Sequence, residues 1–289
     1  METTPLLHLA LGLAAAYAAV VSGMYLAQTR LLFPTHLAEV ARAQLPPSAR
    51  RLRVVTPDGQ PLVGVRIPAA TGGAEPGPPL LGFGGNAWNA DDVALRLHRL
   101  FPGSDVAAFH YRGYRPSGGS PSARALLADS LAILDHLRQA STPGPTVAVG
   151  FGIGSGVAAY LARHRPLAGA ILVTPFDSLE ALARDLYPWA PVGLLLRHRM
   201  PTVDLVRGSP TPTALIAAGR DGIVPARRGE PLRRAVPRLV FDRTIGDAGH
   251  NDLHDHPGFA EAMREALARI GAAAAGKGAG ATGDADGRP

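Results

Sequence analysis

The sequence predicts an α/β fold in which a mostly parallel central sheet carries helices on both faces, preceded by one N-terminal transmembrane helix. Three observations support this prediction. Short apolar segments alternate with amphipathic segments of roughly 10 to 15 residues, which is typical of βαβ units. An alternating hairpin opens the domain and adds antiparallel strands to the sheet. An uncharged apolar stretch covers residues 5 to 27.

The elements follow one another in a regular order. "RLRVVTPDGQPLVGVRIP" predicts two strands around a turn at "PDGQ". Further strands are predicted at "PLLGFGG", "DVAAFHYRG", "TVAVGFG", "GAILVTPF", "PTALIAAGRD" and "PRLVFDRTI". The helices between and after them are predicted at "NADDVALRLHRLF", "SARALLADSLAILDHLRQA", "GSGVAAYLARHR" and "PGFAEAMREALARI".

Composition divides the chain into four parts. Residues 1–28 are the predicted transmembrane anchor, and residues 29–49 are a connector rich in Ala, Pro and Arg. The α/β domain covers residues 50–270. Within it, an apolar, proline-broken insertion at about 176–210 interrupts the strand–helix alternation and predicts a small cap. Residues 271–289 are rich in Gly and Ala without periodicity, which predicts a disordered tail.

The N-terminal stretch is predicted to be a membrane anchor, with two alternatives: a secretory signal peptide, and an apolar helix packed on the domain. About 20 apolar residues suffice to cross a bilayer. No Lys or Arg precedes the stretch and no small-residue cleavage site follows it, which favours an anchor over a signal peptide. Arginines occur only after the stretch, so the positive-inside rule places the domain in the cytoplasm. These arginines are Arg30, Arg42, Arg50, Arg51 and Arg53.

Composition also excludes several function classes. The formal net charge is +6, but the basic residues are dispersed among acidic ones, so we expect no nucleic-acid partner. The chain has no cysteine, which excludes disulfides, thiolate catalysis and cysteine–zinc sites. No motif indicates a cofactor, and the oligomeric state stays open.

Candidate catalytic residues follow three predicted strands. In parallel sheets the chemistry gathers at the carboxyl ends of the strands. A glycine-rich turn, 150–154, follows one strand, and Asp221 in "GRDGIVP" follows a second. His250 in "DAGHNDL" follows the last strand. A nucleophile turn, then an acid, then a histidine is the chain order of the α/β-hydrolase triad.

The ordered motifs of this chain resemble those of the α/β-hydrolase superfamily. The resemblance is to the membrane-anchored serine-hydrolase type, the group that includes depalmitoylating thioesterases. It extends over about residues 28–265. The matching segments are "LLFP", "TPDGQPLVGVRIP", "GFGGNAWNADDV", "YRGYRPSGGSPSARALLADS", "TPFDSL", "YPWAPVGLLLRHR", "GRDGIVP" and "DAGHNDL".

The resemblance implies an α/β-hydrolase fold and assigns roles to several residues. Asp221 corresponds to the acid that orients the histidine, and His250 corresponds to the general base. The family's nucleophile motif is G-x-S-x-G, and its serine position is occupied here by Gly152. The backbone N–H groups of Ile153 and Asn86 correspond to the oxyanion donors. The chain therefore retains an acid and a base but is predicted to lack the nucleophile.

Ser155 is the alternative nucleophile. It lies three residues beyond Gly152, nearly one turn into the predicted helix, and it lacks the flanking glycines of the motif. We therefore expect its hydroxyl to satisfy a backbone group at the helix start. Two further departures from the family pattern surround the site: Gly84 replaces the histidine of an "HGN" motif, and His110 replaces an aspartate before "YRGY".

The segment "HNDLHDH" resembles a metal-binding cluster in composition. It offers three histidines and two aspartates: His250, His254, His256, Asp252 and Asp255. The family resemblance accounts for His250, and the polarity of a surface loop accounts for the others. We therefore predict no metal site.

Two functions remain open from the sequence. The first is a ligand-binding or regulatory module at the membrane, a pseudoenzyme candidate whose elbow and helix start hold a small acyl or anionic ligand. The second is an active esterase or thioesterase in which His250 and Asp221 activate Ser155 or a water molecule. Gly152 favours the first function, and the family resemblance favours the second.

Overall fold

The computed structural model describes residues 3–38, 44–70, 75–139 and 144–279, and it confirms the predicted α/β class. Within these ranges, eight strands form one sheet in the order β1-β2-β4-β3-β5-β6-β7-β8. The strands are β1 (Arg50–Val55), β2 (Pro61–Ile67), β3 (Leu80–Phe83), β4 (Val106–Phe109), β5 (Val147–Phe151), β6 (Gly169–Val173), β7 (Thr213–Ala218) and β8 (Leu239–Ile245).

The sheet is parallel except at one edge. β2 pairs antiparallel with both β1 and β4, and every pairing from β4 to β8 is parallel. Every residue of β3, β5, β6 and β7 is buried. Such continuous burial requires cover on both faces, as expected for a parallel sheet.

Helices cover the two faces of the sheet. One face packs against α2 (Ala90–Leu100) and α9 (Pro257–Ala279) through residues such as Val93, Leu97 and Phe259. The other face packs against α3 (Ala123–Gln139) and α4 (Ile153–His164) through residues such as Leu134 and Val157. A further helix of the main domain, α8 (Glu230–Ala235), lies between β7 and β8.

Three short helices lie between β6 and β7, in the segment where the sequence predicts a cap. They are α5 (Leu179–Leu186), α6 (Val192–Leu195) and α7 (Thr202–Arg207). The Ser178 side chain accepts a hydrogen bond from the Ala181 N–H and so begins α5. Pro191 and Pro201 directly precede α6 and α7. We use the term cap for residues 176–210.

The N-terminal helix, α1, covers Thr3–Leu32 and is apolar and long enough to span a membrane. It continues past residue 28 into the predicted connector. Every residue from 5 to 20 is exposed, whereas Gln28 and the following Phe33 are buried against the domain. Residues 39–43 of the connector lie outside the described residues.

The C-terminal helix corrects one boundary. α9 continues to Ala279, so residues 271–279 are helical rather than part of a disordered tail. Four consecutive alanines follow Gly271, and alanine has the highest helix propensity of all residues. This local preference extends the helix beyond its packed part, where the sequence shows no apolar periodicity. Residues 280–289 of the predicted tail lie outside the described residues.

Candidate active site

A single residue, Gly152, connects β5 to α4. Its backbone has φ 52° and ψ −116°, a conformation that side-chain-bearing residues rarely adopt. Its N–H donates to the Val173 carbonyl at 2.9 Å, which ties the turn to the neighbouring strand. The geometry is that of a strand-to-helix elbow, which in hydrolases presents a nucleophile above the sheet.

The glycines beside Gly152 are required by close packing, whereas Gly152 itself is not. A Cβ on Gly150 would overlap the Gly154 carbonyl oxygen, and a Cβ on Gly154 would overlap the Phe83 carbonyl oxygen. A Cβ on Gly152 would have as its nearest neighbour the Gly85 Cα at 3.9 Å, an ordinary contact. The elbow therefore retains the space that a nucleophilic side chain would occupy.

Asp221 and His250, which follow different strands, meet at the same edge of the sheet. The His250 Nδ1 lies 2.7 Å from the Asp221 Oδ2. The other carboxylate oxygen accepts the N–H groups of Ile223 and Val224 at 2.8 and 2.7 Å, so the buried carboxylate is held in one orientation. A carboxylate with these partners accepts hydrogen bonds, so Nδ1 carries the proton and Nε2 is the proton acceptor.

The predicted oxyanion loop, residues 84–86, is held from below by two buried tyrosines. The Tyr111 hydroxyl donates to the Gly84 carbonyl at 2.7 Å, and the Tyr114 hydroxyl donates to the Asn86 carbonyl at 2.6 Å. Burial raises the pKa of both phenols, so they remain donors at neutral pH. Ile153 is the first residue of α4, where an N–H has no partner within the helix.

Ser155 is buried inside α4 and its hydroxyl faces the elbow backbone. Its Oγ donates to the Gly152 carbonyl at 2.6 Å, and its residue exposure is 0%. The hydroxyl thus serves as a partner for a backbone group in the first helical turn. No hydrogen bond joins it to His250 among the contacts of the described residues.

The histidines of "HNDLHDH" point in different directions. His254 is half-buried, and its ring packs against the rings of Trp88, Phe151 and Phe259, with centroids 4.6 to 5.4 Å apart. Burial, together with the nearby charge of Arg96, lowers its pKa to about 3. This ring is therefore a neutral packing element.

The other members of that segment make local contacts. His256 pairs with Asp247 at 3.2 Å, and Asp252 accepts the Gly249 N–H at 2.6 Å. Within residues 3–38, 44–70, 75–139 and 144–279, no group of three or more His, Asp or Glu side chains could hold a metal ion.

The replacement at His110 lies outside the site. Its ring is buried and its Nε2 lies 3.6 Å from the Asp91 Oδ1, beyond hydrogen-bonding distance. Asp91 pairs instead with Arg51 at 2.6 Å. His110 does not line the cavity described next.

A cavity of about 950 Å³ lies over the elbow, between the sheet, the cap and α1. This is the upper end of the range for ligand sites, about 300–1,000 Å³. Gly152 and His250 both line it, and most of its wall is apolar. The α1 residues Val21, Met24 and Gln28 form one side. The cap, which contacts α1, contributes a further part of the wall with Leu179, Leu182, Ala183, Leu186, Tyr187, Val192, Leu195 and Leu196.

The sequence did not identify three parts of this site. Tyr111 and Tyr114 belong to the quoted motif "YRGYRPSGGSPS", but their role depends on the position of the loop above them. Thr174 also lines the cavity and has φ 45°, a conformation that is unfavourable for a β-branched residue. The α1 wall could not be predicted because it requires a contact between segments about 170 residues apart.

Known proteins resemble this chain in sequence and in structure. No family model matches the chain. The uncharacterized protein Rv2307c of Mycobacterium tuberculosis is 35% identical over 253 residues, covering 84% of this chain and 89% of that protein. The uncharacterized membrane protein YNL320W of Saccharomyces cerevisiae is 29% identical over 185 residues, covering 61% of this chain and 64% of that protein.

Among solved structures, an alpha-beta hydrolase from Vibrio vulnificus superposes with a TM-score of 0.64 at 18% identity, covering 83% of this chain and 92% of that chain. Such a likeness establishes the fold. The chain therefore has the α/β-hydrolase fold, and it belongs to the family of the mycobacterial protein Rv2307c.

Proposed function

We propose that this chain is a membrane-anchored α/β-hydrolase-fold protein that binds an acyl-bearing ligand and lacks ordinary serine-hydrolase activity. One observation carries the proposal: Gly152 stands at the elbow, in the cavity that His250 also lines. The base and its acid are paired at 2.7 Å, but no hydroxyl occupies the position that they would activate.

The loss of the nucleophile has a predictable consequence for catalysis. In a serine protease, removing the serine lowers turnover by about 10⁶-fold, and the oxyanion hole and binding retain roughly 10³–10⁴ over water. Ser155 does not offer a replacement, because its hydroxyl is buried and donates to the Gly152 carbonyl. A serine-type acyl transfer is therefore not expected from this chain.

The ligand class follows from the cavity. Its long apolar walls suit an acyl chain, and the elbow end supplies the Ile153 N–H and the loop at Asn86 for a carbonyl or carboxylate. The start of α4 adds a favourable field for negative charge. An ester, a thioester or a free fatty acid satisfies both halves of this description.

Anchorage is supported by α1. The helix has the length and apolar character of a span, and the yeast relative is named a membrane protein. Its C-terminal half also forms a cavity wall and bonds to the cap, through Gln28 for example, so cleavage as a signal peptide would open the site. The orientation with the domain in the cytoplasm stays a prediction from the arginines that follow the helix.

The second candidate is a weak hydrolase in which His250 activates water. The intact pair between His250 and Asp221 favours it, because an unused base needs no oriented partner. Such an enzyme would turn over esters without forming an acyl-enzyme.

A fluorophosphonate probe separates these functions. We expect no labelling of the full-length protein, and labelling of the Gly152→Ser variant that His250→Ala abolishes. Labelling of the unmodified protein that Ser155→Ala removes would overturn the proposal. Ester turnover without labelling, lost in His250→Ala, would establish the second candidate instead. For anchorage, full-length protein that stays soluble without detergent would contradict the membrane assignment.

A further inference from the structure

The contact between α1 and the cap begins within the apolar part of the helix. The Tyr17 hydroxyl donates to the Trp189 carbonyl at 3.0 Å, and their rings lie 6.3 Å apart. The same face continues one and two turns later with Val21 and Met24, which line the cavity. Farther along the helix, the Gln28 side chain bonds to the backbone of the cap. These residues share one face of α1, so the helix lies along the cap over several turns.

Helix length sets the depth of this contact in a bilayer. The apolar stretch of α1 begins at Pro5, after the polar residues 2–4, so residues 5–16 precede Tyr17, a length of about 18 Å at 1.5 Å per residue. The hydrocarbon core is about 30 Å thick and requires about 20 residues. A span that begins at residue 5 therefore ends near residue 24, beyond the first cap contacts. The remaining thickness of about 12 Å must be crossed by the segment that already touches the cap.

The cap has exposed apolar and aromatic side chains, which suit a position inside the bilayer. Leu186, Tyr187, Trp189 and Leu194 are exposed, and Leu194 is 86% exposed. We call these four residues the cap ridge. Exposed aromatic and leucine side chains at one site are unusual on a soluble surface and are typical of the membrane interface.

Arginine side chains near the cap ridge are suited to bind anionic lipid headgroups. Arg184 and Arg199 both pair with Glu180 at 2.8 Å, so two positive charges share one carboxylate. The Arg197 guanidinium lies over the Tyr25 ring of α1 at 4.8 Å. Basic groups near a membrane surface are attracted to anionic lipids.

We propose that the cap ridge enters the bilayer leaflet beside α1, so that the cavity opens to the acyl chains of membrane lipids. Leu186, Tyr187 and Tyr25 all line the cavity and are exposed, which places the mouth at the ridge. The inference rests on the anchorage proposed above and specifies the source of the ligand: an acyl chain that enters laterally, without crossing water.

The two tryptophans of the chain allow a direct test. The Trp88→Phe variant leaves Trp189 as the reporter on the ridge. The control removes both tryptophans and introduces Gln139→Trp. Gln139 is the exposed last residue of α3, at the edge of the sheet opposite the cavity. Each full-length variant is reconstituted into phosphatidylcholine–phosphatidylglycerol vesicles whose acyl chains carry bromine at a shallow or a deep position.

We expect shallow bromines to lower Trp189 fluorescence by about twofold or more, as for a residue inserted at the interface, and to leave the Gln139→Trp control unchanged. Vesicle-bound protein whose Trp189 is not quenched would overturn the inference while leaving anchorage intact. Blue-shifted, unquenched Trp189 would indicate that a second copy or another protein covers the ridge instead. Protein that does not stay with the vesicles would refute the anchorage and the inference together.

Discussion

Replacing Gly152 with serine should cost much less stability than replacing Gly154 with alanine. At Gly152 the added Cβ meets only the Gly85 Cα at 3.9 Å, so the cost is that of the backbone conformation. Positive φ with a side chain costs about 1–3 kcal/mol. For a domain of this size, that lowers the melting temperature by roughly 2–12 °C.

At Gly154 the cost has a different origin. The added Cβ would overlap the Phe83 oxygen and lie 2.7 Å from the Gly84 oxygen, so β3 must move away from α4. Overlap with backbone atoms, which cannot rotate away, costs more than the roughly 1–3 kcal/mol typical of an extra methylene in a packed core. We expect Gly154→Ala to lose cooperative folding or to melt well below Gly152→Ser.

Thermal unfolding of the full-length protein in detergent measures this difference. Gly59→Ala is the matched control, because Gly59 has φ 81° and an added Cβ there meets nothing within 4 Å. It isolates the cost of a positive φ, and Gly152→Ala should cost at least as much, because the ψ of −116° at Gly152 lies outside the left-handed region open to residues with a side chain. If Gly152→Ser melted as low as Gly154→Ala, the elbow would have no space for a nucleophile, and the idea of an intact frame lacking one hydroxyl would be wrong.

Three further outcomes follow from the site. Thr174→Gly should cost about 1–2 kcal/mol less than Thr146→Gly in thermal unfolding, because only Thr174 has a positive φ to relieve; equal losses would contradict strain at this position. His254 is neutral in the fold, because its pKa is lowered to about 3 from the 6.5 of the unfolded chain. The free energy of unfolding should therefore decrease by up to about 1.4 kcal/mol per pH unit as the pH falls below 6.5. The sign follows because the unfolded chain binds the extra proton; His254→Phe should flatten this slope, and an unchanged slope would exclude the histidine as its source. Tyr114→Phe should cost about 1 kcal/mol and slow fluorophosphonate labelling of the Gly152→Ser variant, since the oxyanion loop loses a support; unchanged labelling would show that the loop needs no such support.

The fold could be predicted because local patterns and global topology agree. The strands that are buried at every position, such as β5, appear in the sequence as continuous apolar runs. The hairpin of β1 and β2 was visible from its alternation and the turn between them. The end of α9 could not be placed, because Gly- and Ala-rich composition is compatible with both a tail and a helix.

The candidate site was predictable in its residues but not in its walls. The chain order identified Gly152, Asp221 and His250 as candidate site residues. In the fold, Asp221 and His250 are in contact. The pairing of α1 with the cap joins Tyr17 to Trp189, 172 residues later, and no local pattern encodes such a contact. The ring packing of His254 could not be predicted either, because a histidine in a polar segment resembles a metal ligand until its ring partners are known.

The cavity is proposed to hold an acyl-bearing ligand that the chain does not cleave. Native mass spectrometry of full-length protein with a long-chain acyl ester tests both halves of this proposal in one experiment. Ala183→Trp, which fills the cavity, should lose the complex, and Ala181→Trp on the same helix does not line the cavity and should retain it. We predict a non-covalent complex that contains intact ester. Absence of the complex, or release of acid faster than by His250→Ala, would contradict the proposed function.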